Sequence, residues 1–174
     1  DLMAQAMSGV MSVTGYPDGP PVKAGVPVAD IGCALFAVYG ILSAYIGKTK
    51  TGEGQFIDAS LFDVQVAMLA NQASNELIGH THPTRMGNAH PNIVPYQVFP
   101  TRDGHMVLAI GNDGQFERFC LAAGHPNVAM DPAYQTNPER VKNRQALIAM
   151  ITAWTIQRDT DEWGQLLERV SVPC

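Results

Sequence analysis

Residues 94–111 read VPYQVFPTRDGHMVLAIG. Two runs rich in Val, Phe, Tyr and Ile flank TRDG, a polar four-residue turn with Gly104 at its end. β-branched and aromatic residues on both sides of such a turn are strand-like, and the spacing predicts a β-hairpin. Upstream of residue 93 the patterning is mainly helical. The hairpin therefore marks the start of a small α/β unit and divides the chain.

Downstream, GNDGQ (111–115) follows the second strand and leads into a helix over 116–123. A further helix is expected from Asn137–Pro138, a favourable cap and first-turn pair, to about Gln157. Thr160 is the expected cap of a last helix. Upstream, GHTHPTRMGNAHPN (79–92) is rich in Gly, Pro, His and Asn and reads as a linker. The expected organisation is a part of a large domain over 1–78, a linker over 79–92, and an incomplete small domain over 93–174.

The first 78 residues are read as three helices. Residues 1–14 place Leu2, Met3, Ala6, Met7, Val10 and Met11 on one face, and Gly15 stops them. The methionines are expected in the core. YPDGPP is a turn-rich loop, and Lys23 to Val28 is extended, since Pro27 biases Val26 away from helix. VPVADIGCALFAVYG (26–40) then puts one aspartate into an apolar run. Asp30 stands where an N-cap belongs, before a helix over Ile31–Ile46 closed by Gly47. A helix apolar nearly all round is expected to be buried, so Asp30 is expected at a buried helix mouth. GQFIDASL (54–61) reads as a short strand. Ser60, with Asp63 three residues on, caps a helix reaching about Ile78. The fold class is α/β: buried helices of a large domain, then a linker and a small α/β domain with a β-hairpin.

The chain has 174 residues, a net charge of −5, 46 % hydrophobic and 16 % charged residues. That is a globular profile, and the acidic balance argues against nucleic acid and anionic membrane surfaces. The longest apolar stretch, Ile31–Ile46, is interrupted by Gly32, Gly40 and Ser43, so no membrane span is expected. Three widely spaced cysteines, Cys33, Cys120 and Cys174, fit reduced thiols and a cytoplasmic location. The chain opens within a helical pattern and stops at SVPC, so a fragment is expected.

Asp30 has two physically permitted roles. A carboxylate at a helix N-terminus is favoured by the dipole and free N–H groups, which makes it a cap. The same anion is a nucleophile toward an activated acyl group, because it needs no base. Gly111-Asn112-Asp113-Gly114-Gln115 lies between a strand and a helix. Glycines there allow close backbone approach, and exposed N–H groups can hold a carboxylate; a plain connector has the same look.

Four segments occur in one order: DLMAQAMSGVMSVTGYPDGPP (1–21), VPVADIGCALFAVYGILSAYIGKTKTGEGQFIDASLFD (26–63), GNAHPNIVPYQVFPTRDG (87–104) and GNDGQFERFC (111–120). Together they resemble the family III CoA-transferases, the CaiB/BaiF-like group that includes formyl-CoA and carnitine CoA-transferases. The resemblance implies that Asp30 is the catalytic residue, attacking an acyl-CoA thioester and passing through an aspartyl-CoA thioester. It implies that the loop Gly111, Asn112, Asp113, Gly114, Gln115 covers the aspartate and meets substrate, although Asn112 and Asp113 depart from the all-glycine form. It further implies acyl-CoA and carboxylic acid substrates, coenzyme A as substrate rather than bound cofactor, a longer chain with an N-terminal nucleotide-binding-like half, and an interlocked homodimer. An α-methylacyl-CoA racemase-like epimerase, in which an aspartate and a histidine exchange the α-proton, is the alternative. An inactive fragment that only folds and self-associates is another.

Other groups attract blander readings. His80, His82 and His90 lack acidic or thiolate partners at ligand spacing, so a structural loop is expected rather than a metal site. Cys33 is expected inert in the buried helix. Lys48, Lys50 and Arg85 could meet CoA phosphates or simply line solvated turns. Trp154 and Trp163 are expected in the core.

Overall fold

The hairpin is present: β1 (Tyr96–Pro100) and β2 (His105–Ala109) pair antiparallel, with Phe99 opposite Met106 and Tyr96 opposite Ala109. The computed structural model describes residues 1–174. They divide into two units, Asp1–Gly87 and Asn88–Cys174, which are described separately below. The α/β class expected from the sequence holds, as helices with one small antiparallel sheet.

In the second unit β2 alternates as a strand of a half-buried sheet should. Met106, Leu108 and Ile110 point inward while His105 and Val107 face solvent. Five helices cover the inner face: α6 (Asp113–Ala123), α7 (Pro126–Met130), α8 (Asn137–Lys142), α9 (Arg144–Thr155) and α10 (Thr160–Arg169). Phe99, Phe116, Phe119, Leu147, Ile151 and Leu167 form the core with them. Trp154 and Trp163 are buried there as expected, each with its ring 6.2 Å from that of Phe119, and the Trp163 indole donates to Thr155 O at 2.9 Å. The helix expected over 137–157 is broken at Asn143, whose φ and ψ of −99° and 23° leave the helical region. Its cap is Thr136 rather than Asn137, because the Asn137 side chain is used elsewhere, bridging Val94 N and Asn92 O. Asp159, not Thr160, caps α10, in a capping box with Glu162. Thr160 instead binds the hairpin turn through Asp103 and Thr101.

The first unit departs further from expectation. The first helix is two, α1 (Leu2–Met7) and α2 (Val10–Val13), separated by Gly9 at φ 93°. Its buried residues are Gln5 and Ser8, while Met3 and Met7 are exposed. Gln5 is hydrogen-bonded on the inward side, and the apolar stripe meets solvent in this chain. The central helix α3 runs over Val28–Thr51, longer than expected, with Pro27 as N-cap and Gly52 as C-cap. Asp30 is thus inside the first turn and is not the cap. By length and composition alone, α3 would suffice to cross a membrane, contrary to the expectation that no stretch would.

The helix was expected buried, yet only Ala29 and Gly32 are. Small residues let neighbours close in on one side: a Cβ on Gly32 would stand 2.6 Å from Met68 Sδ, and one on Gly40 3.0 Å from Ile57. The other faces, with Leu35, Tyr39, Leu42 and Tyr45, meet solvent in this chain. Residues 54–60, expected as a short strand, form neither helix nor strand. Ser60 caps α4 (Leu61–Ala67) through Asp63 N at 3.1 Å, as expected. Ala70, at φ 48°, then divides α4 from α5 (Asn71–Leu77).

Candidate functional site

Asp30 is the third residue of α3, where the partial positive charge of the helix N-terminus favours an anion. Its side chain is 55 % exposed, not buried. The apolar surroundings expected from the sequence are there along the helix, but they lie open to solvent at this turn. Its polar neighbour is the Asp1 amino nitrogen, 3.5 Å from Oδ1. Cys33, one turn on, is half-buried rather than buried, and its thiol lies 3.5 Å from Ala59 O.

The ground under Asp30 is built by two residues whose roles the sequence did not reveal. The Asp1 Oδ1 accepts the Ala29 N–H at 3.0 Å, and its Oδ2 accepts from Gln5 Nε2 at 2.7 Å. Gln5 is fully buried and its Oε1 accepts the Ala24 N–H at 2.9 Å. This chain of bonds ties α1, the 23–27 segment and the first turn of α3 together. A signal was available in the spacing: Asp1 and Gln5 stand four apart on one helix, where side chains meet.

In the second unit the structure gathers Gly111, Asn112, Asp113, Gly114 and Gln115 into one turn. Asn112 is the N-cap of α6, its Oδ1 accepting the Gln115 N–H at 2.9 Å. The Gln115 side chain reaches back, its Oε1 accepting the Gly111 N–H at 2.7 Å. Two amides expected to be open to a ligand carboxylate are therefore engaged within the turn. Arg118 donates to Gly114 O at 3.2 Å and to Val170 O at 2.8 Å, holding the turn to the end of α10.

Asp113 is half exposed, and its Oδ1 accepts from Arg140 Nη2 at 2.7 Å. Arg140 itself is fully buried and donates further to Val94 O, Tyr134 O and Gln135 O. Its guanidinium lies 4.5 Å from the Phe116 ring centre. A buried cation survives only when its donors are matched, and the fork of Arg140 is. No sequence pattern singled it out: it is one arginine among charged neighbours in a short amphipathic helix.

The remaining candidates fall into ordinary settings. His82 Nδ1 lies 3.0 Å from Glu76 Oε2. His90 accepts the Asn92 N–H at 3.1 Å, and burial, aided by Arg144, pushes its titration below the usual histidine range. Arg85 holds the 16–19 loop through Tyr16 O and Gly19 O. Lys48 and Lys50 occupy the last turn of α3, favourably for its dipole.

The family model for CoA-transferase family III matches residues 1–174. A succinate–glutarate CoA-transferase of Agrobacterium fabrum is 47 % identical over 174 residues, covering 100 % of this chain and 44 % of its own length. A human succinyl-CoA:glutarate CoA-transferase is 41 % identical over 173 residues, covering 99 % of this chain and 40 % of its own. The crystal structure of a CAIB/BAIF family protein from Brucella suis superposes with a TM-score of 0.74 at 46 % identity, over 99 % of this chain and 46 % of that one. The chain thus spans less than half the length of the relatives it matches. With the family pattern carried from its first residue to its last, on a fold shared with a solved CAIB/BAIF protein, the chain belongs to CoA-transferase family III.

Proposed function

We propose that this chain carries the nucleophile segment and a substrate-binding turn of a CoA-transferase that exchanges CoA between dicarboxylic acids. The observation that carries the reading is Asp30: a half-exposed carboxylate in the first turn of α3, in a chain matching the family throughout. The dicarboxylate class is supported by the names of the relatives, which transfer CoA between succinate and glutarate.

The Asp30 carboxylate attacks the thioester carbonyl of the donor acyl-CoA. The C–S bond breaks, leaving a mixed anhydride and CoA thiolate. The thiolate attacks the aspartyl carbonyl of the anhydride, giving aspartyl-CoA thioester and the free donor acid. The acceptor carboxylate then attacks this thioester and releases thiolate, which takes the acceptor acyl group and frees Asp30. Each acyl bond broken is replaced by another, and overall one thioester replaces another, so thioester energy is conserved without ATP. Water must be excluded while the intermediates exist. The turn Gly111–Gln115 serves substrate binding in this reading. The resemblance adds a homodimer, and the three widely spaced cysteines support a cytoplasmic setting.

The test is mass spectrometry of the Asp30 peptide, from a chain of the relatives' full length, after incubation with succinyl-CoA or glutaryl-CoA. A CoA adduct on Asp30, absent in Asp30→Ala, is expected. No adduct, together with exchange of an α-proton for solvent deuterium, would replace the transferase by an epimerase.

A further inference from the structure

An aspartate at the third position of a helix normally has somewhere to put its charge. In a capping box the acidic side chain at this position folds back onto the backbone N–H of the N-cap residue. Other free amides of the first turn offer alternatives. A carboxylate held in this way is a structural cap, its lone pairs spent on the helix. At α3 these donors are withdrawn from Asp30. The N-cap is Pro27, which has no N–H to give. The Val28 N–H donates to Val26 O at 2.8 Å. The Ala29 N–H donates to Asp1 Oδ1 at 3.0 Å.

Asp1 is itself at the N-cap position of α1, yet its side chain caps no amide of α1. It crosses to the start of α3 instead, and buried Gln5 fixes its other oxygen at 2.7 Å. We infer that Asp1 and Pro27 are positioning residues that jointly deprive Asp30 of its capping role, so that no first-turn amide of α3 holds its carboxylate, which stands 3.5 Å from the Asp1 nitrogen and open to solvent for nucleophilic attack. Asp1 supplies the cap that the helix needs, and Pro27 removes the donor onto which Asp30 would otherwise fold. The inference rests on Asp30 being the nucleophile, as proposed above. It adds why this aspartate, in a place built for capping, remains unspent.

The experiment uses the enzyme at the full length of its relatives, with kcat, KM for succinyl-CoA and the rate of adduct formation on Asp30 measured separately. Pro27→Ala restores an N–H at the N-cap; Asp1→Ala frees the Ala29 N–H. Both are expected to lower kcat and adduct rate by about tenfold, the scale on which a misplaced reacting group costs rate, with KM within about twofold. Asp1→Asn keeps an oxygen for the Ala29 N–H, although its NH2 then faces Gln5 Nε2 and that bond is lost, and it is expected to recover kcat in part, to within about threefold of the wild type. A purely structural role would lower stability without this split between kcat and KM. Should Asp1→Ala not fold, Pro27→Ala decides, since alanine is tolerated at a helix start. Wild-type kcat in folded Pro27→Ala overturns the inference, and so does loss of kcat in folded Asp1→Asn as deep as in Asp30→Ala. Wild-type activity in Asp30→Ala overturns the transferase reading itself, so the two failures are distinguishable.

Discussion

Arg140 and Asp113 form an ion pair at 2.7 Å in which the arginine is wholly buried and the aspartate half exposed. The asymmetry means that the two ends of one bond are not equal in consequence. Removing Asp113 leaves Arg140 with three carbonyl partners; removing Arg140 leaves Val94 O, Tyr134 O and Gln135 O without their donor. Arg140→Ala is therefore expected to destabilise the protein by about 3–5 kcal/mol, and Asp113→Asn by only about 1–2 kcal/mol. Urea unfolding of the two variants checks the order. Equal losses would mean that the pair, rather than the buried hub, holds the turn.

Asn112 closes the start of α6 through Gln115 N, and Gln115 closes it in return through Gly111 N. Asn112→Ala is expected to cost about 1 kcal/mol, the usual value of a lost N-cap. Amide exchange at Gln115 should quicken while exchange at the core residues Leu108 and Ile110 stays slow. Unchanged protection at Gln115 would show that the cap is dispensable.

Gly87 has φ 60°, and a Cβ there would stand 2.9 Å from two ring carbons of Tyr16. Gly87→Ala meets a left-handed backbone and an aromatic ring together. A loss of about 1–3 kcal/mol in thermal unfolding is expected, with Tyr16→Ala in the same chain relieving the steric part. If the double variant is no better than Gly87→Ala alone, backbone conformation accounts for the whole effect.

Burial pushes the Cys120 thiol up to about 12 from an ordinary 9.0, although Arg140 nearby pulls the other way. A thiol that stays protonated when folded and ionises when unfolded favours the unfolded chain at alkaline pH. Its stabilising effect is complete below pH 9 and is lost as pH rises toward 12. Native Cys120 is expected to resist iodoacetamide at pH 8.5 while Cys33 reacts, with labelling of Cys120 appearing only on denaturation. Cys120→Ala should flatten the alkaline fall in stability between pH 9 and 10.5.

Much of this was legible from residue order. The hairpin was written in VPYQVFP and HMVLAIG because only the four residues 101–104 separate its two strands, and side chains alternate inward and outward along the second. Ser60 announced its cap because capping is decided within four residues. Asp30 and the 111–115 turn were found through the family pattern, and the spacing alone left both with ordinary alternatives. What stayed hidden depended on distant partners. Gln5 is buried with its amide bonded to Ala24 and Asp1, while Met3 and Met7 are exposed. Arg140 is a hub because the chain returns past Val94 and Tyr134. The break at Ala70 lies inside a pattern that reads as one continuous helix, and nothing in the composition of 61–78 marks it.

Pro27 has one more effect, on what changes the sequence can accept. A proline at the N-cap fixes where α3 starts, so the direction of every later side chain is counted from it. One residue inserted between Pro27 and Asp30 would turn the carboxylate through about 100° around the helix axis and shift it by about 1.5 Å along it. Deletion would turn it as far the other way. Exchanges of Val28 or Ile31 for similar side chains leave that angle untouched. The bearing of the carboxylate is thus stored as a count of residues, and this stretch is expected to tolerate substitution far better than any change in length.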